Sequence, residues 1–418
     1  MERNNVYAAR AFSVIATDIV GAGIVPAVPA TLGKRLGARF KALADAHFNT
    51  TAIDRDGQST LAGLQNIATR AMARDGEVLL LRIRPPARMR LPVPFQVRVI
   101  EADYIDSTND RALDDGAAIR SGVEFGSDGR RVAYHLFKSH PGDTLTANAE
   151  TIRIPAEDVI HLYRVERPGQ TRGVPWLAPA IMTLWDLKDY EEAELIRQRV
   201  AASFAAFRTT DSSVTQLADA NTTSIGTPVD TLEPGTITDL APGQDIRFSA
   251  PPQVQGYADY VRMSQRRIAT GIGVPFNVLA SDDSQENFAS SRRGHLVYQR
   301  TIDVWRWQTV IPMMCDRIGE WFVDAAQIAL SARIDARLGW TPPKRDLISP
   351  KEEVPMMRDL IRSGLSSRSE TIRSLGYDPE EIEAEIAAEN ERADGLALSF
   401  DSDGRRPATG PQPEPQKV

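Results

Sequence analysis

From Tyr257 to Ala329 the sequence reads as one helical run, a Gly-Val-Pro stop, a polar loop and a second, longer helical run. Gly271 and Gly273 tolerate the left-handed backbone of a helix C-cap, and Pro275 cannot continue the hydrogen-bond ladder. Between Ala280 and Ser291 nearly every residue is small, polar or acidic, as a solvent-facing loop requires. From Gly294 onward Trp307, Ile311, Met314, Ile318, Trp321 and Ala325 recur at helical spacing and predict a buried stripe. Pro312 sits inside that stripe and should kink the helix. No catalytic constellation accompanies these elements, which suit a mechanical part better than an active site.

The remainder of the chain changes hydrophobic period twice. Residues 5–20 look helical, with Phe12, Ile15 and Ile19 along one side, and further helices are expected over 31–46 and 59–74. Residues 77–165 then carry β-branched and aromatic runs separated by turn signals, notably Ser127-Asp128-Gly129, and predict a mostly antiparallel β region. This is an α+β pattern, not the repeating βαβ of a nucleotide-binding sheet. After Arg172-Gly173-Val174-Pro175-Trp176 a long helix is expected over 177–208. Ile181, Leu184 and Trp185 give it an apolar start, and Ile196, Val200, Phe204 and Phe207 an apolar end. Its middle is charged all round. A helix longer than about 40 Å with such a middle needs neighbours from other helices or other subunits.

Residues 209–255 are Ser/Thr/Asp/Pro/Gly-rich and read as a small protruding lobe, with short strands near Thr236–Thr238 and Ile246–Ser249. Two or three short helices follow in 350–395, and the Pro-rich stretch Ser402–Val418 should be disordered. No internal repeat is present.

At 418 residues the chain can bury a real core and should divide into two or more domains. No apolar run approaches the roughly 20 residues needed to cross a bilayer, and the N-terminus has no signal-peptide pattern, so no membrane partner is expected. The single cysteine, Cys315, excludes an intrachain disulfide and reads as a buried small hydrophobe. A net charge of −7 argues against tight wrapping of nucleic acid but is compatible with DNA passing acidic walls.

Candidate chemistry is sparse. Gly21-Ala22-Gly23 follows a helix, and Pro26 stands where a dinucleotide loop needs its third glycine. No phosphate-cradling GxxxxGK[ST], HExxH or GxSxG occurs. The histidines His47, His135, His140, His161 and His295 are scattered over unlike elements, and His161 is expected to pack in a sheet. Asp282, Asp283 and Glu286 form a carboxylate cluster that reads either as a metal-dependent nuclease site or as an acidic loop. Arg262, Arg266 and Arg267, with Arg292 and Arg293, form the densest basic neighbourhood, either salt-bridged helix faces or contacts to DNA phosphates. The run Glu191-Glu192-Ala193-Glu194 reads as a solvated helix face. No enzyme, metal or cofactor is expected.

Several runs, in order, resemble the lambda-type family of phage portal proteins, the head–tail connectors: ERNNVYAARAF and GAGIVP, then IPAEDVIHLYRVERPGQTRGVPWLAPAI, LWDLKDYEEAELIRQRVAASFAAF, RIATGIGVPFNVLASDDSQENFASSRRG and SGLSSRSETIRSLGYDPEEI. The resemblance covers most of residues 4–395. It implies a portal fold with a mixed α/β wing (1–176), a stem of two helices (177–208 and 256–273) and a clip (209–255). A tunnel loop (274–292), a long kinked wing helix (293–340), an α-helical crown (341–395) and a disordered tail (396–418) complete it. It also implies a homo-oligomeric ring, typically a dodecamer, at one capsid vertex of the virion, assembled in the host cytoplasm. The implied partners are non-sequence-specific double-stranded DNA, terminase, the head–tail adaptor, and the major capsid and scaffolding proteins. Ser281, Asp282, Asp283, Gln285, Glu286 and Asn287 would face the duplex. Arg262, Arg266, Arg267, Arg292 and Arg293 would join subunits or touch phosphates. Gly273, Pro275 and Pro312 would supply the helix stop and kink. Relatives carry a longer N-terminal leader, so an early segment is expected to precede Met1. A nuclease using Asp282, Asp283 and Glu286, and an oligomeric scaffold without a DNA channel, stand as alternatives.

Overall fold

The shifts of hydrophobic period become distinct elements in the computed structural model, which describes residues 2–143, 150–202, 206–210, 244–248, 256–282, 284, 287–343, 347, 349–398, 400, 403 and 405. The chain forms two units. The larger contains residue 2, residues 8–176 and residues 283–418; the smaller contains residues 3–7 and 177–282. Together they are mixed helix and sheet, in keeping with the α+β expectation.

Helices α1 (Val6–Val20), which belongs to the larger unit from Ala8 onward, α2 (Gly33–Phe48) and α3 (Leu61–Asp75) precede the sheets. On α1 the residues Ala8, Ala11, Phe12, Ile15 and Ile19 are buried, the stripe that their spacing predicts. The Thr60 side chain caps α3 by accepting from the Gly63 amide. The strands are β1 (Val25–Ala27), β2 (Glu77–Ile83), β3 (Gln96–Glu101), β4 (Arg111–Ala112), β5 (Ala118–Arg120), β6 (Val123–Phe125), β7 (Arg131–Phe137), β8 (Thr151–Pro155) and β9 (Val159–Tyr163). One sheet has the order β3-β2-β9 and the other β4-β5-β6-β7-β8, and the pairs within both are antiparallel. Leu79, Leu81, Ile100, Ile105, Val123, Tyr134, Leu136 and Val159 from the two sheets and their connections share one core. The Ser127-Asp128-Gly129 turn joins β6 to β7, with the Asp128 carboxylate accepting from the Arg130 amide at 3.0 Å.

The smaller unit contains α4 (Ile181–Ala202), β10 (Ala206–Thr210), β11 (Gln244–Phe248), α5 (Tyr257–Ile272) and α6 (Phe276–Ala280). The expected helix over 177–208 is shorter at both ends. A 3-10 turn occupies Ala178–Ala180, and residues 206–208 belong to β10, paired antiparallel with β11. Phe207 is therefore a strand residue, and Phe204 lies outside the described residues. The strand expected near Ile246 is β11; Ser249 and Thr236–Thr238 lie outside the described residues.

The C-terminal part of the larger unit continues with α7 (Phe288–Trp305), a ten-residue π-helical segment (Arg306–Cys315), α8 (Asp316–Leu330), β12 (Gly339–Thr341), α9 (Pro350–Arg362), α10 (Arg368–Ser374) and α11 (Pro379–Gly395). Strand β12 pairs antiparallel with β1. The helical run ends at Leu330, where Ser331 takes a left-handed conformation, so Trp340 lies in a strand and not in a helix. Most of the tail, from residue 406, lies outside the described residues.

Pro312 acts through a change of helix type. The Asp316 amide donates to the Ile311 carbonyl, five residues back, and the wider turn accommodates a ring that would crowd the carbonyl four residues earlier in an α-helix. This overturns one member of the predicted stripe. Ile311, Met314, Ile318, Trp321 and Ala325 are buried, but Trp307 is 54% exposed, and Trp305 and Arg306 are buried instead. Each π turn takes up about one residue more than an α turn, so a stripe counted at α spacing drifts off its face there.

Candidate functional site

The helix stop after α5 is built as its residues suggest. Gly273 has φ 81°, and its amide donates to the carbonyls of Ala269 and Thr270, while the Val274 amide reaches Ala269 O at 3.1 Å. Orphan carbonyls at the end of α5 are thus satisfied by a left-handed glycine. Gly271, expected to share that role, is helical instead. A Cβ there would make ordinary contact with Ala180, 3.4 Å from its Cβ. Pro275 precedes α6 and its carbonyl accepts from the Leu279 amide at 3.1 Å. Helix α6 occupies the start of the 274–292 loop that the resemblance implies; its signal is Phe276, Val278 and Leu279 directly after a proline.

The loop then opens with Ser281 at φ 53°, exposed. Asp282 is half-buried, and its Oδ2 lies 3.5 Å from Arg262 Nε. Asp283, Gln285 and Glu286 lie outside the described residues. Asn287 is exposed, and its carbonyl accepts from the Ser291 amide at 3.0 Å at the start of α7. Of the three carboxylates in the nuclease reading, the described one is thus ion-paired within its own chain.

The five arginines are divided between the units. Arg262, Arg266 and Arg267 are on α5, where Arg266 lies over the Phe276 ring at 5.2 Å. Arg267 is exposed and makes no ion pair among the described residues. On α7, Arg292 pairs with Glu352 at 3.1 Å, and Arg293 is exposed.

Helices α4 and α5 pack together through aromatic rings. Tyr190 meets Tyr260 at 4.3 Å and Tyr257 at 5.8 Å between centroids. The Tyr7 hydroxyl joins both helices, donating to Glu191 at 3.3 Å and accepting from Gln265 Nε2 at 3.0 Å. Burial raises its pKa, against the hydrogen bond from Gln265, and Glu191 raises it further. Glu194 pairs with Arg197. Glu192 pairs with Lys188 at 3.4 Å, so all three glutamates of the acidic run of α4, expected to be a solvated face, have partners.

Sequence reading missed the chemistry of Arg172-Gly173-Val174-Pro175-Trp176 in the larger unit. Glu77 Oε1 accepts from Arg172 Nε at 2.6 Å, and its Oε2 accepts from the Gly173 amide at 2.7 Å and from His161 Nε2 at 2.9 Å. Burial alone would raise the Glu77 carboxyl, but the hydrogen bonds from His161 and Arg172 outweigh it and hold the pKa at about 2. Burial pushes His161 down, so the neutral ring donates from Nε2. Gly76, at φ 90°, caps α3 and faces Gly173 so closely that a Cβ on Gly173 would stand 2.1 Å from the Gly76 carbonyl oxygen. Trp176 then packs at 4.8 Å on Trp305, with Arg164 over its ring at 4.4 Å.

Elsewhere in this unit Glu101, Asp103 and His140 each bring one ligand atom within 4.8 Å of the others. Glu101 also takes Arg74 at 2.9 Å, so the group is a surface ion-pair cluster. No helix among the described residues is long and apolar enough to cross a membrane.

Comparison with known proteins gives these helices a family. Residues 1–306 match the family described as phage portal protein, lambda family. The chain is similar to a probable portal protein of Halomonas phage phiHAP-1, at 27% identity over 341 residues, which is 78% of this chain and 65% of that protein. It thus spans just under two thirds of that curated relative. Among solved structures it is similar to the neck of a native GTA particle computed with C12 symmetry, with a TM-score of 0.51, 17% identity, and 90% of this chain and 91% of that chain covered. The neck of an empty GTA particle computed with C6 symmetry gives a TM-score of 0.51, the same 17% identity and the same coverage. At this identity the likeness is one of fold. The chain belongs to the lambda family of phage portal proteins.

Proposed function

We propose that copies of this chain form a ring at one capsid vertex and conduct double-stranded DNA during packaging and ejection. The observation that carries this reading is the family match over residues 1–306, which takes in α4, α5 and the loop after them. The likeness to neck structures computed with C12 and C6 symmetry supports a closed ring, and a dodecamer is the expected form. In this reading 177–208 and 256–273 are the stem, 209–255 the clip, 1–176 with 293–340 the wing, and 341–395 the crown. The clip docks terminase during packaging and the head–tail adaptor afterwards; the outer surface meets the major capsid and scaffolding proteins. Assembly takes place in the host cytoplasm, and the finished ring stays in the virion. The ring positions an ATP-driven motor and hydrolyses nothing itself.

Residues 274–292 form the tunnel loop. Ser281, Asp282, Asp283, Gln285, Glu286 and Asn287 present a polar, largely acidic surface that repels phosphates, so the duplex slides without sticking. Because Asp282 is already paired with Arg262, Asp283 and Glu286 supply that repulsion. Two experiments test the reading. Single-particle electron microscopy with mass determination should find a closed ring with a duplex-wide channel; a compact monomer at all concentrations would refute it. Packaging with the D283N/E286Q variant should slow or stall, and unchanged packaging would remove the loop from the mechanism.

A further inference from the structure

Two helices of the smaller unit carry exposed stripes that mix apolar side chains with charges, Asp186 and Asp189 on α4 and Arg267 on α5. On α4, Met182, Trp185, Asp189, Glu192 and Ile196 follow one another at steps of three and four and are all exposed, with Asp186 alongside. Met182 is 71%, Trp185 51% and Ile196 59% exposed. Leu184 and Leu187 on α4 are buried. On α5, Tyr260, Met263, Arg267 and Thr270 make a second exposed stripe, with Met263 63% exposed, while Ser264, Ile268 and Ile272 face inward. Met182, Trp185 and Ile196 on α4 and Met263 on α5 are thus apolar side chains left facing water, with Lys188 Nζ over the Trp185 ring at 5.6 Å and paired with Glu192 at 3.4 Å. Asp186, Asp189 and Arg267 make no ion pair among the described residues.

Asp186 and Asp189 on one helix and Arg267 on the other give two copies of the chain complementary charges across an α4-to-α5 contact. Such a head-to-tail contact closes into a ring when repeated by rotation. We propose that this is the contact between neighbouring copies, with Asp186 and Asp189 of one facing Arg267 of the next and Met182 and Trp185 packing on Met263. The levels along the helices agree. Within a chain, Tyr190 meets Tyr260 at 4.3 Å, and a Cβ on Gly271 would meet Ala180 at 3.4 Å. Residues between Ala180 and Tyr190 therefore lie level with those between Tyr260 and Gly271, and rotation about an axis along this helix pair preserves that level in the neighbour. The inference rests on the ring reading above, and adds which faces make the ring.

The test is charge reversal with rescue, read by native mass spectrometry and electron microscopy at a concentration where the unmodified chain forms rings. R267E, and separately D186K/D189K, place like charges face to face and should each cut the ring fraction by about tenfold or more. Circular dichroism should show both still folded. The triple variant R267E/D186K/D189K restores opposite charges and should restore rings. Rings at the normal level in either reversed variant, or no rescue in the triple, would overturn this pairing while the ring reading stands. If the unmodified chain forms no rings in the same run, the ring reading falls and this contact falls with it.

Discussion

Arg306 Nε donates to the carbonyl oxygen of Ile19 at 2.7 Å, and its Nη2 donates to that of Asp18 at 2.6 Å. A buried guanidinium from the π-helical segment thereby closes the C-terminal end of α1, where carbonyls have no intrahelical donor and the helix dipole favours a cation. Tyr298 adds a third link from the same helical run by donating to the Asp18 carboxylate at 2.7 Å.

Replacing Arg306 with methionine keeps bulk but leaves both carbonyls unpaired in a buried setting. The expected loss is about 3 kcal/mol of unfolding free energy, measured by urea titration. A change below about 0.5 kcal/mol, the size of an ordinary surface substitution, would show that water satisfies the end of α1 instead.

His47 is fully buried among Phe48, Phe95 and Phe322, and neither ring nitrogen has a hydrogen-bond partner among the described residues. Burial lowers its pKa from 6.5 to about 4. Below pH 6.5 the unfolded chain takes up a proton here that the folded chain refuses until about pH 4, so this group's contribution to stability falls as pH drops through that window. The full effect is about 3 kcal/mol. His47→Leu should flatten the stability–pH curve between those limits relative to the unmodified chain; parallel curves would count against the assignment.

The Glu77 carboxylate has the opposite kind of shift, with a folded-state pKa of about 2 against an ordinary 4.5. Its contribution is present above pH 4.5 and is lost as pH falls toward 2. Glu77→Leu removes the acceptor for Arg172, His161 and the Gly173 amide at once, and leaves a guanidinium without its carboxylate. About 3–5 kcal/mol should be lost at neutral pH. Glu77→Leu with Arg172→Met should recover part of that loss in a double-mutant cycle, and additive losses would argue against direct coupling.

Cys315 is buried, and burial raises its thiol well above the usual range. A thiol reagent should label the native chain at least about a hundredfold more slowly than the urea-unfolded chain. Equal rates would mean that the π-helical segment opens on the labelling timescale.

Much of the fold is legible in local pattern. Helices α1 and α3, the antiparallel strands over 77–163, and the Gly273–Pro275 stop depend on periodicity or on single-residue backbone preferences, and both are written in short windows. The sheet position of His161 was legible for the same reason; its bond to Glu77 was not, because the two residues are far apart in sequence. Helix α6 hid behind the polar composition that follows it. The wing, stem and clip assignments came from ordered motifs, and no single residue carries them.

Sequence by itself determined the helix and strand periods, the helix stop, the lone buried cysteine and the motif order that marks the family. Tertiary structure decided which face each helix turns inward at Pro312, that Arg306 is buried while Trp307 is exposed, and that Asp282 is tied to Arg262. The physical reason is range. A hydrophobic period is a property of neighbours along the chain, whereas a π turn, a buried arginine or an ion pair depends on carbonyls and charges that only folding brings within a few ångströms.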